Sequence, residues 1–97
     1  MTEADIRDAL REVIDPELGV NIVDLGLVYG VDVNDREARI TMTMTSPACP
    51  LRDYLQDLVE STITARVPDV ERVVVEVVHD PPWTPDLMSE TARRQLE

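Results

Sequence analysis

Ile6, Leu10, Val13 and Ile14 recur at spacings of three and four, the stripe of an amphipathic helix. Thr2-Glu3-Ala4-Asp5 ahead of them has the form of a capping box. The helix is predicted to end at Asp15, because a residue before proline is steered away from the α region. Asp15-Pro16-Glu17-Leu18-Gly19 then reads as a turn, with Gly19 free to take a positive φ. Beyond it the period changes to two. Leu27, Tyr29, Val31 and Val33 alternate with Val28, Gly30 and Asp32, which predicts a first strand. Ile40, Met42 and Met44 alternate with Thr41, Thr43 and Thr45, which predicts a second, and Asn34-Asp35-Arg36-Glu37 joins the two as a hairpin.

The helical period returns with Leu51, Tyr54, Leu55, Leu58, Val59, Thr62 and Ile63, in a helix running from Pro50 to Val67 and stopped by Pro68. Val73, Val75 and Val77 mark the core face of a third strand, while Val74 and Val78 flank Glu76 on the other. That second face is partly apolar and calls for a cover, either the tail of the chain or a second subunit. His79 to Asp86 holds three prolines and Trp83 and is excluded from helix or strand interiors. Ser89 caps a short last helix with Glu90 early and Arg93 and Arg94 late. The order α-β-β-α-β-α predicts an α+β two-layer sandwich, a three-stranded sheet with its helices mainly on one face.

The 97 residues suit a single domain, 1–97, with one modest core. A net charge of −11 argues against nucleic acid, which requires a concentrated basic surface. No apolar run reaches membrane-spanning length, and the acidic N-terminus has no signal-type stretch. With one free thiol, the expected location is the cytoplasm. All nine basic residues are arginine, so Schiff-base chemistry and a lysine-dependent phosphate loop are excluded. A lone cysteine also excludes dithiol redox chemistry within one chain.

That cysteine, Cys49, lies between the second strand and the second helix in Thr45-Ser46-Pro47-Ala48-Cys49-Pro50. Pro50 suits a first helical position, which sets Cys49 near the N-cap, where free N–H groups and the helix dipole favour a thiolate. A buried small hydrophobe is the simpler reading. Two hydroxyls before it and prolines on both sides favour a functional thiol. Asp15 and Glu17 are either an acid–base pair or a turn in which Asp15 caps its own backbone. His79 shares the parity of Val73, Val75 and Val77 and is expected as a partly buried strand-end residue. With Cys49 and a carboxylate it forms a candidate metal-ligand set. Trp83 is assigned to folding the tail over the sheet ahead of a role as an interface anchor. Asp24-Leu25-Gly26 reads as a structural entry into the first strand.

Three separated segments resemble the domain-of-unknown-function 59 family: Asp15 to Tyr29, Met42 to Pro50, and Asp80 to Pro85. The family includes SufT-like and PaaD-like proteins linked to iron–sulfur cluster maturation, and the resemblance spans nearly the whole chain. It implies a fold related to the C-terminal domain of NifU-type scaffold proteins and a role as an accessory or targeting factor. It also implies a site at Cys49, Thr45, Ser46, Asp15 and Glu17. PaaD-like proteins carry a cysteine-rich metal-binding extension, and none follows here before Glu97, so the minimal, general maturation member is expected.

A tetra-thiolate cluster needs four ligands and this chain offers one. The expected cargo is therefore a transient iron–sulfur cluster or iron, with nothing tightly bound to the isolated chain. The expected partners are the assembly machinery or client apoproteins, and a second copy in a homodimer. No enzymatic turnover is expected. Two other classes remain: a thiol enzyme with Cys49 as nucleophile and His79 as base, and an interaction subunit in which Cys49 is inert.

Overall fold

In the computed structural model, which describes residues 2–45 and 49–96 and the side chains of these except 49–51, the capping box at Thr2 is formed. Thr2 Oγ1 accepts from Asp5 N, and Asp5 Oδ2 accepts from Thr2 N. Helix α1 runs Glu3–Leu10, stopping well short of the predicted end at Asp15. Glu12 N and Val13 N turn back to Ala9 O and Leu10 O, tightening the last turn. The backbone of 13–15 then pairs with 20–22: Ile22 N donates to Val13 O, Asp15 N donates to Val20 O, and Ile14 bridges Asn21. This pairing takes the N–H and C=O groups that a longer helix would have used. Val13 keeps its buried place, but Ile14 is turned out and is 44% exposed.

Strand β1 (Val28–Asn34) and β2 (Glu37–Met42) form the predicted hairpin around Asp35 and Arg36. Asp35 takes φ 54°, which an aspartate tolerates in a tight turn. The ladder runs evenly from Asn34↔Glu37 to Gly30↔Thr41 and then jumps to Val28↔Met42. The extra residue in this bulge moves Val28 onto the face of Val31 and Val33, opposite Met42, Ile40 and Ala38. Tyr29, expected on the core face, is displaced by the bulge, and its hydroxyl donates to Pro81 O at 2.8 Å.

Helix α2 (Cys49–Arg66) carries the chain over to β3 (Arg72–Val77), which lies parallel to β2 in the sheet order β1-β2-β3. Its inward stripe is Leu55, Val59 and Ile63, all fully buried. Tyr54, counted in that stripe from the sequence, lies off it and is 51% exposed. Helices α1 and α2 touch each other, α1 packs on β1 and α2 on β3. They cover one face with Ile6, Leu10, Ile22, Leu25, Leu27, Ile40 and Met42 at the centre of the core. None of these helices is long and apolar enough to cross a membrane.

The tail docks on the entry to β1. Trp83 packs on the core and its Nε1 donates to Leu25 O at 2.7 Å, while Ser89 N donates to Asp24 O at 2.7 Å. Between them lies one 3-10 turn, Pro85–Leu87, where no helical residue was expected. Ser89 Oγ caps helix α3 (Glu90–Leu96) by accepting from Ala92 N. Val74 and Val78 stay half-buried, while Pro81 O, Trp83 Nε1 and Ser89 N bond to the Asp24–Tyr29 segment.

Gly26 is the tightest point of that docking. It sits at φ 80°, and a Cβ there would stand 2.3 Å from Leu87 O. Gly26→Ala is expected to cost at least about 2 kcal/mol in urea unfolding. The same variant should red-shift the emission of Trp83 as the tail loosens; an unshifted spectrum and unchanged midpoint would show that the contact is not stabilising.

Candidate functional site

Asp15 is fully buried, and its carboxylate is the centre of the site. Oδ1 accepts from Glu17 N at 2.8 Å and Leu18 N at 3.2 Å, closing the turn that Pro16 begins. Asp15 O accepts from Gly19 N at 2.8 Å, with Gly19 at φ 70° as its turn position requires. Oδ2 faces the other way and accepts from Thr45 Oγ1 at 3.4 Å. The bond joins residues 30 apart in sequence, tying the Asp15–Gly19 turn to the segment that leads from β2 toward α2. No buried side-chain nitrogen or oxygen among the described residues lacks a partner.

Thr45 is held from the β2 side as well. Thr43 is buried, and its N–H donates to Leu27 O at 2.8 Å, which continues the hairpin contact past the end of β2. Met44 packs into the core. Cys49 opens α2 in the backbone; its side chain lies outside the described residues, as does Ser46.

The structure therefore brings Asp15 and Thr45 together, and α2 begins four residues after Thr45 in the chain. Glu17 contributes its N–H to the turn while its side chain is exposed. The Asp15 carboxylate is occupied by two backbone N–H groups and a hydroxyl, so the geometry is that of a turn and not of a carboxylate pair. His79 does not take its expected place. The last rung of β3 is Val78 N to Met42 O, the chain then leaves the sheet, and His79 is exposed. Among the described residues no group of three or more His, Cys, Asp and Glu is arranged to hold a metal ion.

Two supports escaped the sequence reading. Asn21 and Asp24 bind reciprocally, Asn21 Nδ2 donating to Asp24 Oδ2 at 2.6 Å and Asp24 N donating to Asn21 Oδ1 at 2.9 Å. Their i, i+3 spacing resembles a capping box and was a usable signal. Leu25 O as acceptor for Trp83 has no sequence signature, since any residue has a carbonyl.

The sequence profile of the family described as "Iron-sulfur cluster assembly protein" matches residues 3–77, from the first residue of α1 to the last of β3. The chain is 49% identical over 93 residues to the Fe-S protein maturation auxiliary factor YitW of Bacillus subtilis (strain 168), covering 95% of this chain and 90% of the relative. With the Fe-S protein maturation auxiliary factor SufT of Staphylococcus aureus (strain USA300) identity is 46% over 85 residues, covering 87% of this chain and 96% of the relative. The crystal structure of a Domain of Unknown Function DUF59 from Bacillus anthracis superposes with a TM-score of 0.93 at 44% identity, covering 97% of this chain and 90% of that one.

Removing the carboxylate should expose how much the turn depends on it. Asp15→Ala leaves two N–H groups and a hydroxyl without their acceptor and is expected to cost about 3 kcal/mol in denaturant unfolding. Thr45→Val loses one long bond and should cost below about 1 kcal/mol. Equal losses for the two variants would mean that the turn N–H groups find other acceptors.

Proposed function

The chain belongs to the iron–sulfur cluster assembly protein family, and we propose that it is a non-catalytic accessory factor that escorts iron or an iron–sulfur cluster to client apoproteins through Cys49. The observation that carries this reading is the bond from Thr45 Oγ1 to the buried Asp15 carboxylate. It ties Thr45, four residues before Cys49 in the chain, to the turn that begins the first family-like segment, so residues 30 apart in sequence meet. Cys49 opens α2, where the free N–H groups of a helix start favour a thiolate and, with it, iron or sulfide chemistry.

The cargo is a substrate of this site and not a resident group. One thiol per chain is a quarter of the ligand set of a thiolate-bound cluster, so the remaining ligands come from a client's cysteines, small thiols or carboxylates. Incomplete ligation suits a carrier, because a cargo held by few bonds is released to a client offering more. Asp15, Thr45 and Ser46 shape the loop, Glu17 closes the turn through its N–H, and His79 is a further ligand only if a client draws the exposed loop after β3 toward Cys49. A free thiol acting in this way suits the reducing cytoplasm.

The test is client loading in cells that lack their own factor, read as the activity and iron content of a cluster-dependent dehydratase. Cys49→Ala is expected to reduce loading to the level of cells without the protein while leaving thermal stability unchanged. Full loading by that variant would overturn the proposal in favour of an interaction subunit. Cys49-dependent turnover of esters or thioesters by the purified chain would overturn it in favour of a thiol enzyme.

A further inference from the structure

The two edges of the sheet are built differently. β1 carries the bulge at Val28–Gly30, and Pro81 accepts a hydrogen bond from Tyr29 beside it, both of which discourage an added strand. β3 has neither device. Its six residues keep an unbroken register with β2, and Arg-Val-Val-Val-Glu-Val contains no proline or glycine. Arg72 N donates to Arg36 O and Val78 N to Met42 O, so the even-numbered residues turn their backbone groups toward β2. By alternation, the N–H and C=O groups of Val73, Val75 and Val77 point to the open edge. Among the described residues no hydrogen bond is made to them from that side. These three valines are only partly buried, whereas Ile40 and Met42 on the central strand are fully so.

We infer that a second copy of this chain pairs with β3 antiparallel, making one six-stranded sheet across a two-fold axis at Val74. A two-fold axis normal to the sheet keeps the helices of both copies on the same side, and opposed residues then share a face. Centred on Val74, the pairing sets Arg72 opposite the second copy's Glu76, and Glu76 opposite its Arg72. It also sets Val73 opposite Val75, at positions where both strands offer free N–H and C=O groups. Shifting by two residues either way sets a charged residue against Val74, so charge complementarity selects this register. Arg72 is available: its side chain is 74% exposed and meets Glu37 only at 3.4 Å. Glu76 is exposed. The overall charge of −11 opposes association, and the contact patch answers it with two opposite-charge pairs.

The geometry also separates the two Cys49 sites. β3 runs parallel to β2, so its C-terminal end lies at the end of the sheet from which the chain passes to Cys49. Antiparallel copies carry these ends in opposite directions. Each copy keeps its own site, and the two thiols do not converge on one cluster.

Sedimentation equilibrium from roughly 10 μM to about 1 mM tests the pairing. The full chain and Cys49→Ala should both approach the mass of two chains, which makes this test independent of the carrier reading. Val74→Lys, on the outer face at the axis, should remain monomeric throughout with unchanged circular dichroism. R72E and E76R should each weaken the dimer about tenfold, two symmetric pairs being reversed at once, and the R72E/E76R double variant should restore it. If Val74→Lys fails to fold, the charge-exchange set decides, since both side chains are exposed. A single-chain mass for the wild type, a dimer that survives Val74→Lys, or a double variant no better than the singles would overturn the proposal.

Discussion

A carboxylate withdrawn from water must have its oxygens met by donors, and the arrangement around Asp15 follows from that requirement. Oδ1 gathers the N–H groups of Glu17 and Leu18 into a turn, and Oδ2 reaches Thr45 on a different part of the chain. The backbone of the same residue pairs with Val20 and Gly19, so the turn cannot shift without disturbing the carboxylate as well. The bridge from Ile14 to Asn21 lies directly beside this residue, and Thr45 is bonded to it four residues before α2 begins. Its use is positional, and the chemistry proposed for the site rests with the thiol.

The elements were readable where local pattern and packing agree. The capping box at Thr2, the hairpin at Asp35, the valines of β3 and the Ser89 cap all follow from short-range rules, and the whole order α-β-β-α-β-α stands. The family resemblance drawn from three segments also stands. The errors at Val13 and Ile14, Tyr29 and His79 share one cause, backbone pairing that sequence periodicity cannot see, whereas Tyr54 was misplaced by side-chain position on its helix. Val13 and Ile14 continue a helical stripe but are claimed by residues 20–22. Tyr29 keeps strand parity in the sequence, and a bulge removes it. His79 continues the parity of β3 beyond the last rung of its ladder. At the site, Asp15 and Thr45 were each singled out, but their bond spans 30 residues and nothing local announces it.

The tail completes what the matched family region begins. Residues 3–77 hold the three strands and the first two helices. The segment that follows binds Asp24, Leu25 and Tyr29 through Ser89, Trp83 and Pro81. Leu27, two residues after Leu25, accepts from Thr43, which precedes the Thr45 anchor. The tail and Thr43, just past the end of β2, thus rest on the same short stretch of chain, Asp24 to Tyr29.

The parallel placement of β3 sets an order of assembly. The hairpin of β1 and β2 closes through a two-residue turn. The β2–β3 ladder brings together residues 35 apart, as in the Arg36–Glu71 pair, and must wait until α2 has spanned the gap. Loop-closure entropy falls on this later step, and non-local ladders of this kind are the slow ones. During synthesis the valine-rich strand finds its neighbour later than the hairpin strands do, because it follows α2 in the chain. A chain crowded among copies of itself is therefore most exposed to misassembly at that strand, where a neighbour's β2 offers the same register as its own.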